Sequence, residues 1–197
     1  MRIIGLTGGI ATGKTTAANL LWQQHGVTLV DADLLARAAV VPGSIALAAI
    51  VDRYGPTVCQ ADGQLDRTQL GAIVFGNPDE RAWLESQIHP YVVDRLVAEV
   101  ASARAAGEGA IVLVVPLLFE ADLVHLVTEV WVVTCTRDQQ CDRLMARNGL
   151  TRAEAEARLA SQWPIEQKCD RANWVLDNSG PPEALADQVD QAWRGVN

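Results

Sequence analysis

The feature that most constrains this chain is an octapeptide, Gly8-Gly9-Ile10-Ala11-Thr12-Gly13-Lys14-Thr15, between an apolar run over residues 2–7 and an apolar-periodic segment over residues 14–24. It fits G-x-x-x-x-G-K-[ST] in the setting that gives the pattern meaning, with a strand before it and a helix after it. Glycines let successive backbone N–H groups turn inward on an anion without Cβ obstruction. The helix adds its unpaired N-terminal N–H groups and the positive end of its dipole. Lys14 supplies a point charge for β- and γ-phosphates, and the Thr15 hydroxyl a ligand for Mg²⁺. The plain alternative is a glycine-rich turn with a surface lysine, and eight positions in register argue against it.

The rest of the chain alternates in the same way. Strands are expected at residues 27–30, 111–115, 129–134 and 174–176, with helices at 138–147 and 183–193. The aliphatic run at 111–115 reads as a parallel strand buried on both faces. Together these imply a doubly wound parallel sheet that binds its ligands at the carboxyl ends of the strands. About 80 residues between the second and third strands lack a convincing strand. There Leu84, Ile88, Val92, Leu96 and Val100 recur every four positions, as on one apolar helix face. Pro90 falls inside this pattern and is expected to kink or split the helix. A smaller excursion follows the fourth strand, where Thr151-Arg152-Ala153-Glu154 is a capping-box pattern and Gly149 suits the end of the preceding helix. Pro181 suits the first turn of the last helix.

Composition excludes several classes. Hydrophobic residues make up 49% of the chain, so it is globular. No apolar run approaches the ~20 residues that span a bilayer, and no basic segment followed by an apolar one opens the chain. Cys59, Cys135, Cys141 and Cys169 are scattered and form no metal-ligand spacing, so free thiols in a reducing cytoplasm are expected. A net charge of −8 argues against a nucleic-acid surface.

A cradle alone does not name a reaction. Asp31-Ala32-Asp33 follows the second strand, and spacing of two points both carboxylates to one side if the chain stays extended. A kinase needs a carboxylate to orient and deprotonate the attacking hydroxyl. Asp33 also suits an N-cap for a helix from Leu34. The third strand ends in Val114, Val115 and Pro116 with no metal-binding aspartate, which weighs against a motor ATPase, and a guanine signature is absent. Glu120 reads as a group acting on substrate or the metal's water shell, or as a solvent-facing helix-start glutamate. Arg143 and Arg147, four apart, share a helix face that can close over phosphates or be solvated beside Asp142. His89 reads as a packed, hydrogen-bonded residue more readily than a catalytic one. Trp22, Trp83, Trp131, Trp163, Trp174 and Trp193 read mostly as core or edge packing.

With these residues in place, the chain resembles the dephospho-coenzyme A kinase family, P-loop kinases of the nucleoside-monophosphate-kinase type. The resemblance is carried by the cradle, Asp31-Ala32-Asp33, Arg37, Pro42-Gly43, His89-Pro90, the stretch 114–120 (VVPLLFE), Arg143 and Arg147, Ser161-Gln162 and Asp177-Asn178-Ser179-Gly180. It implies an α/β P-loop three-layer fold with a five-stranded parallel sheet. The core would comprise residues 1–33, 108–136 and 170–197, with a helical acceptor-binding insertion at 34–107 and a small helical lid at 137–169. It implies ATP-dependent phosphorylation of the ribose 3′-hydroxyl of dephospho-coenzyme A, the last step of coenzyme A synthesis, by a cytoplasmic monomer or weak homo-oligomer. Asp33 would be the base, assisted by Lys14, Arg143 and Arg147. Gly9, Ala11, Thr12, Gly13, Lys14, Thr15, Thr16, Arg147 and Asn178 would hold ATP, and Thr15 the Mg²⁺. Asp33, Arg37, His89, Leu117 and Glu120 would meet the acceptor. Two departures stand out. Family cradles commonly read GGIGSGKS, so Ala11 stands at a glycine position and needs a conformation that a non-glycine residue adopts. Val115 stands where many relatives carry an aspartate. The rival readings are a related kinase with another acceptor, such as shikimate, gluconate or a nucleoside monophosphate, and a nucleotide-dependent switch that signals to a protein partner.

Overall fold

The structure, a computed structural model, describes residues 1–74 and 76–195. The strands are β1 (Arg2–Gly8), β2 (Thr28–Asp31), β3 (Ala110–Val114), β4 (Glu129–Thr134) and β5 (Trp174–Asp177). The helices are α1 (Lys14–His25), α2 (Ala32–Ala38), α3 (Ile45–Tyr54), α4 (Arg67–Val74), α5 (Pro78–Ala105), α6 (Arg137–Asn148), α7 (Arg152–Ala160), α8 (Ile165–Cys169) and α9 (Pro182–Arg194). The strands form one parallel sheet in the order β2-β3-β1-β4-β5. Every residue of β3 is buried, as are Ile3 to Gly8 of β1, so the central strands are covered on both faces.

The chain divides into two compact units, Met1–Asp31 with Val100–Asn197, and Ala32–Glu99. In the first, Ala17, Ala18 and Leu21 of α1 and Leu185, Val189 and Ala192 of α9 pack with Ile4, Leu6, Val112, Trp131, Val133 and Leu176 of the sheet. In the second, Ala39, Val40, Leu47, Ile50, Val58, Leu65 and Leu70 form a separate core. Its helices start on short polar caps. Ser44 Oγ accepts the Leu47 N–H, Asp66 Oδ1 those of Thr68 and Gln69, and Asn77 Oδ1 those of Asp79 and Glu80.

Three local expectations are corrected. The helix around Pro90 is not split: α5 runs unbroken through it for 28 residues. A proline removes one N–H from the ladder, and here the apolar stripe continues through Ile88, Val92 and Leu96. Asp33 is neither extended nor an N-cap, because α2 begins at Ala32 directly after β2 and puts Asp33 in its first turn. Two residues apart on a helix do not share a face. At α9, Pro181 is the N-cap residue and Pro182 takes the first helical position. The capping box at Thr151 and Glu154 is formed in both directions, and Gly149 ends α6 with φ 64°. Among the tryptophans, Trp131 is fully buried but Trp22 is 59% exposed.

Candidate active site

The cradle joins β1 to α1 at the carboxyl edge of the sheet, and its carbonyls are tied down one after another. Lys14 Nζ donates to Gly8 O at 3.3 Å and Gly9 O at 2.7 Å, and the buried Thr12 hydroxyl also donates to Gly9 O. Ile10 O accepts from Gln140 Nε2 at 2.8 Å, Ala11 O from Arg143 Nη1 at 3.4 Å, and Thr12 O from Asn178 Nδ2 at 2.8 Å. In a planar trans peptide the next N–H points opposite to the carbonyl. The Ala11 and Gly13 N–H groups are therefore turned away from Gln140 and Asn178, to the side where an anion can meet them.

Two glycines are required by geometry. A Cβ on Gly8 would run into Val133 O, and one on Gly13 into Asn178 Nδ2; both have positive φ. Ala11 sits in the left-handed region at φ 59°. That region is open to a non-glycine residue at roughly 1–2 kcal/mol.

Arg143 is half-buried and does not lie on a solvated face beside Asp142. Its Nη2 donates to Asn178 O at 3.1 Å while Nη1 reaches the cradle, so it stitches α6 to both the cradle and the 177–180 turn. Gln139 Nε2 adds a bond to Ser179 O at 2.9 Å. Arg147 is exposed and meets Asn148 Oδ1 at 2.9 Å. Cys135, after β4, is buried, and burial pushes its thiol up despite Arg143 and Lys14, so it stays protonated.

After β3 the chain enters a turn instead of a helix, so the solvent-facing helix-start reading of Glu120 does not hold. Glu120 Oε1 pairs with Lys168 Nζ at 2.7 Å and accepts the Trp163 N–H at 3.2 Å. Its Oε2 is buried and has no hydrogen-bond partner. Lys168, on α8, is fully buried and also donates to Pro116 O at 3.4 Å, which receives the Thr7 hydroxyl at 3.1 Å. Trp163 lies parallel to Phe119, ring centroids 6.2 Å apart, with Arg171 over it at 5.2 Å. Nothing in the stretch 164–170 marks Lys168 as interior; the Glu120 carboxylate and the Pro116 carbonyl make its burial tolerable. Leu117 is 39% exposed.

The other residues that the sequence singles out are at the surface. Thr15 and Thr16 are exposed on the first turn of α1. Asp31 ends β2 in register with Val114, so a carboxylate stands at this sheet edge although Val115 does not supply one. In the Ala32–Glu99 unit, Asp33 and Arg37 are exposed four residues apart on α2, hence on one face, and His89 is exposed on α5 and not packed. No group of three His, Cys, Asp or Glu side chains among the described residues can cage a metal. The exposed Thr15 hydroxyl is an oxygen donor of the kind that Mg²⁺ takes.

A parallel strand, a loop with its amides turned to one side, and a helix behind the lysine define a P-loop nucleotide-binding protein of the α/β class. The chain belongs to the dephospho-CoA kinase family, whose model matches residues 2–183. It is 53% identical over 192 residues to a dephospho-CoA kinase of Synechocystis sp., covering 98% of this chain and 94% of that one. The crystal structure of a Thermus thermophilus protein superposes with a TM-score of 0.81 at 33% identity, covering 100% of this chain and 98% of that chain. Dephospho-CoA kinase from Campylobacter jejuni, at 22% identity, shares the fold with a TM-score of 0.66 over 98% of this chain and 96% of its own. The chain is therefore an enzyme, a kinase with ATP as phosphoryl donor. No helix among the described residues is long and apolar enough to cross a membrane.

Proposed function

We propose that the chain transfers the γ-phosphoryl group of ATP to the ribose 3′-hydroxyl of dephospho-coenzyme A, giving coenzyme A and ADP. Family membership over nearly the whole length, joined to a cradle with its amides already oriented, is the observation that carries this reading. The amides of Gly9 and of Ala11 to Thr16 receive the donor phosphates. Lys14 leaves the Gly8 and Gly9 carbonyls for the β- and γ-phosphates, and Asn178 borders the adenine. The Thr15 hydroxyl would hold Mg²⁺, which would supply neutralisation of the charge on the transferred group. Asp33 orients the acceptor hydroxyl and takes its proton. Arg37 and His89 bind the acceptor, with Leu117 and the unmatched Oε2 of Glu120. Arg147 reaches the phosphates, while Arg143 orders the cradle that holds them. Residues 137–169 act as a lid whose closure excludes water, so that the acceptor and not water is phosphorylated. The net charge of −8 supports a small-molecule acceptor over nucleic acid, and the enzyme is read as a cytoplasmic monomer or weak homo-oligomer.

The test is ADP release with Mg·ATP, with and without dephospho-coenzyme A, and the mass of the product. Acceptor-dependent release and a product heavier by one phosphoryl group are expected. ATP turnover unchanged by this acceptor would reject it.

A further inference from the structure

The peptide groups on either side of Ile10 are gripped by two glutamines from outside the cradle. The Ile10 N–H donates to Gln162 Oε1 at 2.8 Å, and the Ile10 C=O accepts from Gln140 Nε2 at 2.8 Å. Gln140 is buried on α6, and Gln162 lies on the connection between α7 and α8. The first peptide plane carries the Gly9 carbonyl, already bonded to Lys14 and Thr12, together with the Ile10 N–H. The second carries the Ile10 carbonyl together with the Ala11 N–H. Holding these two planes determines which way the Ala11 N–H points, at a residue whose left-handed backbone has reason to relax.

Gln162 is itself anchored. The next residue, Trp163, donates its N–H to Glu120 Oε1 at 3.2 Å, and Lys168 pairs with the same oxygen at 2.7 Å. The segment 162–168 thus joins the cradle to the turn after β3. A shift of this segment changes the grip on Ile10.

We propose that Gln162 is a positioning residue for the donor phosphates. It acts through the Ile10 peptide to keep the Ala11 N–H on the anion side, with Gln140 as the opposing grip. The proposal rests on the kinase reading above and deepens its donor site.

The test is the full-length Gln162→Leu variant, followed by direct ADP titration, the KM values for ATP and for dephospho-coenzyme A, Tm, and hydrogen exchange at the Ile10 amide. The ADP Kd and the ATP KM are expected to rise about 2- to 10-fold, the span set by one net hydrogen bond. The acceptor KM and Tm are expected to hold, and the Ile10 amide to exchange faster. Gln140→Leu should move the nucleotide constants in the same direction, and the double variant should lose less than the product of the two, because both side chains act on one residue. Unchanged nucleotide constants in Gln162→Leu overturn the proposal. So does a lowered Tm with donor and acceptor constants worsening together, which is the signature of general destabilisation. ADP titration needs no acceptor, so a wild-type protein that binds ADP and ignores dephospho-coenzyme A would reject the proposed acceptor while this test still stands.

Discussion

Around the cradle, five consecutive carbonyls from Gly8 to Thr12 each accept a side-chain hydrogen bond. In the Ala32–Glu99 unit the centre is instead wholly apolar, and the side chains proposed for the acceptor, Asp33, Arg37 and His89, stand exposed on helix surfaces. The first arrangement is polar, and the grips on Ile10, Ala11 and Thr12 orient their peptides before any ligand arrives, so that fixed dipoles would stabilise phosphoryl transfer with little reorganisation. The second is a packed scaffold that carries these proposed groups on exposed helix faces. On the proposed reading, donor recognition rests on backbone geometry and acceptor recognition on side chains.

The largest expected effect tests that division directly. Asp33→Asn should lower kcat by roughly 10²–10⁴-fold, the usual worth of a general base, with ADP affinity unchanged. Lys14→Ala should lower kcat by about 10²–10³-fold and weaken ADP binding as well. Steady-state kinetics beside ADP titration separates the two. An Asp33→Asn enzyme that turns over normally would remove the base from this residue and dissolve the contrast.

Next comes Lys168→Met, which leaves Glu120 half-buried without its cation. Loss of one partner of a buried pair costs about 3 kcal/mol, read as a lower urea midpoint. A midpoint within error of wild type would show that the turn after β3 does not depend on this pair.

The Ala32–Glu99 unit has its own electrostatic clamp. Arg53 pairs with Glu80 at 2.7 Å and lies over the Trp83 ring at 4.4 Å, while the Tyr54 hydroxyl donates to Glu80. The Arg53 guanidinium and then the Tyr54 hydroxyl hold the Glu80 carboxyl down at about 2. A carboxyl lowered on folding contributes stability above its unfolded pKa of about 4.5, and that contribution drains away as pH falls from there towards 2. Wild type should lose more Tm across this window than Glu80→Gln. Parallel Tm–pH curves would show that solvent screening has erased the clamp. The smallest effect is expected at the cradle: Ala11→Gly relieves the left-handed strain but loosens the unfolded chain, and the two nearly cancel in Tm.

The cradle was legible because its demands are local: strand, glycines, lysine and hydroxyl are contiguous, and each acts through the backbone at its own position. The alternating strands were legible for the same reason, as hydrophobic period is a property of a short window. Asp33 was read in the wrong local geometry because no residue separates β2 from α2, and nothing in the side chains of Asp31-Ala32-Asp33 announces so abrupt a change. Pro90 is a helix breaker by local rule, yet α5 is not split there, because an apolar stripe carries on both sides of it. Lys168 carried no signal, since a buried lysine and a solvated one look alike in sequence.

By itself, then, the sequence determined the phosphate-binding loop, the parallel sheet and the family to which the chain belongs, all of which depend on contiguous or periodic residues. Tertiary structure alone decided that Gln140 and Gln162 hold the Ile10 peptide, that Arg143 faces the cradle, and that Glu120 is matched by Lys168. These pairs lie between 48 and 152 residues apart. A hydrogen bond reads only the distance and direction between two atoms, and the chain's path through the sheet sets both.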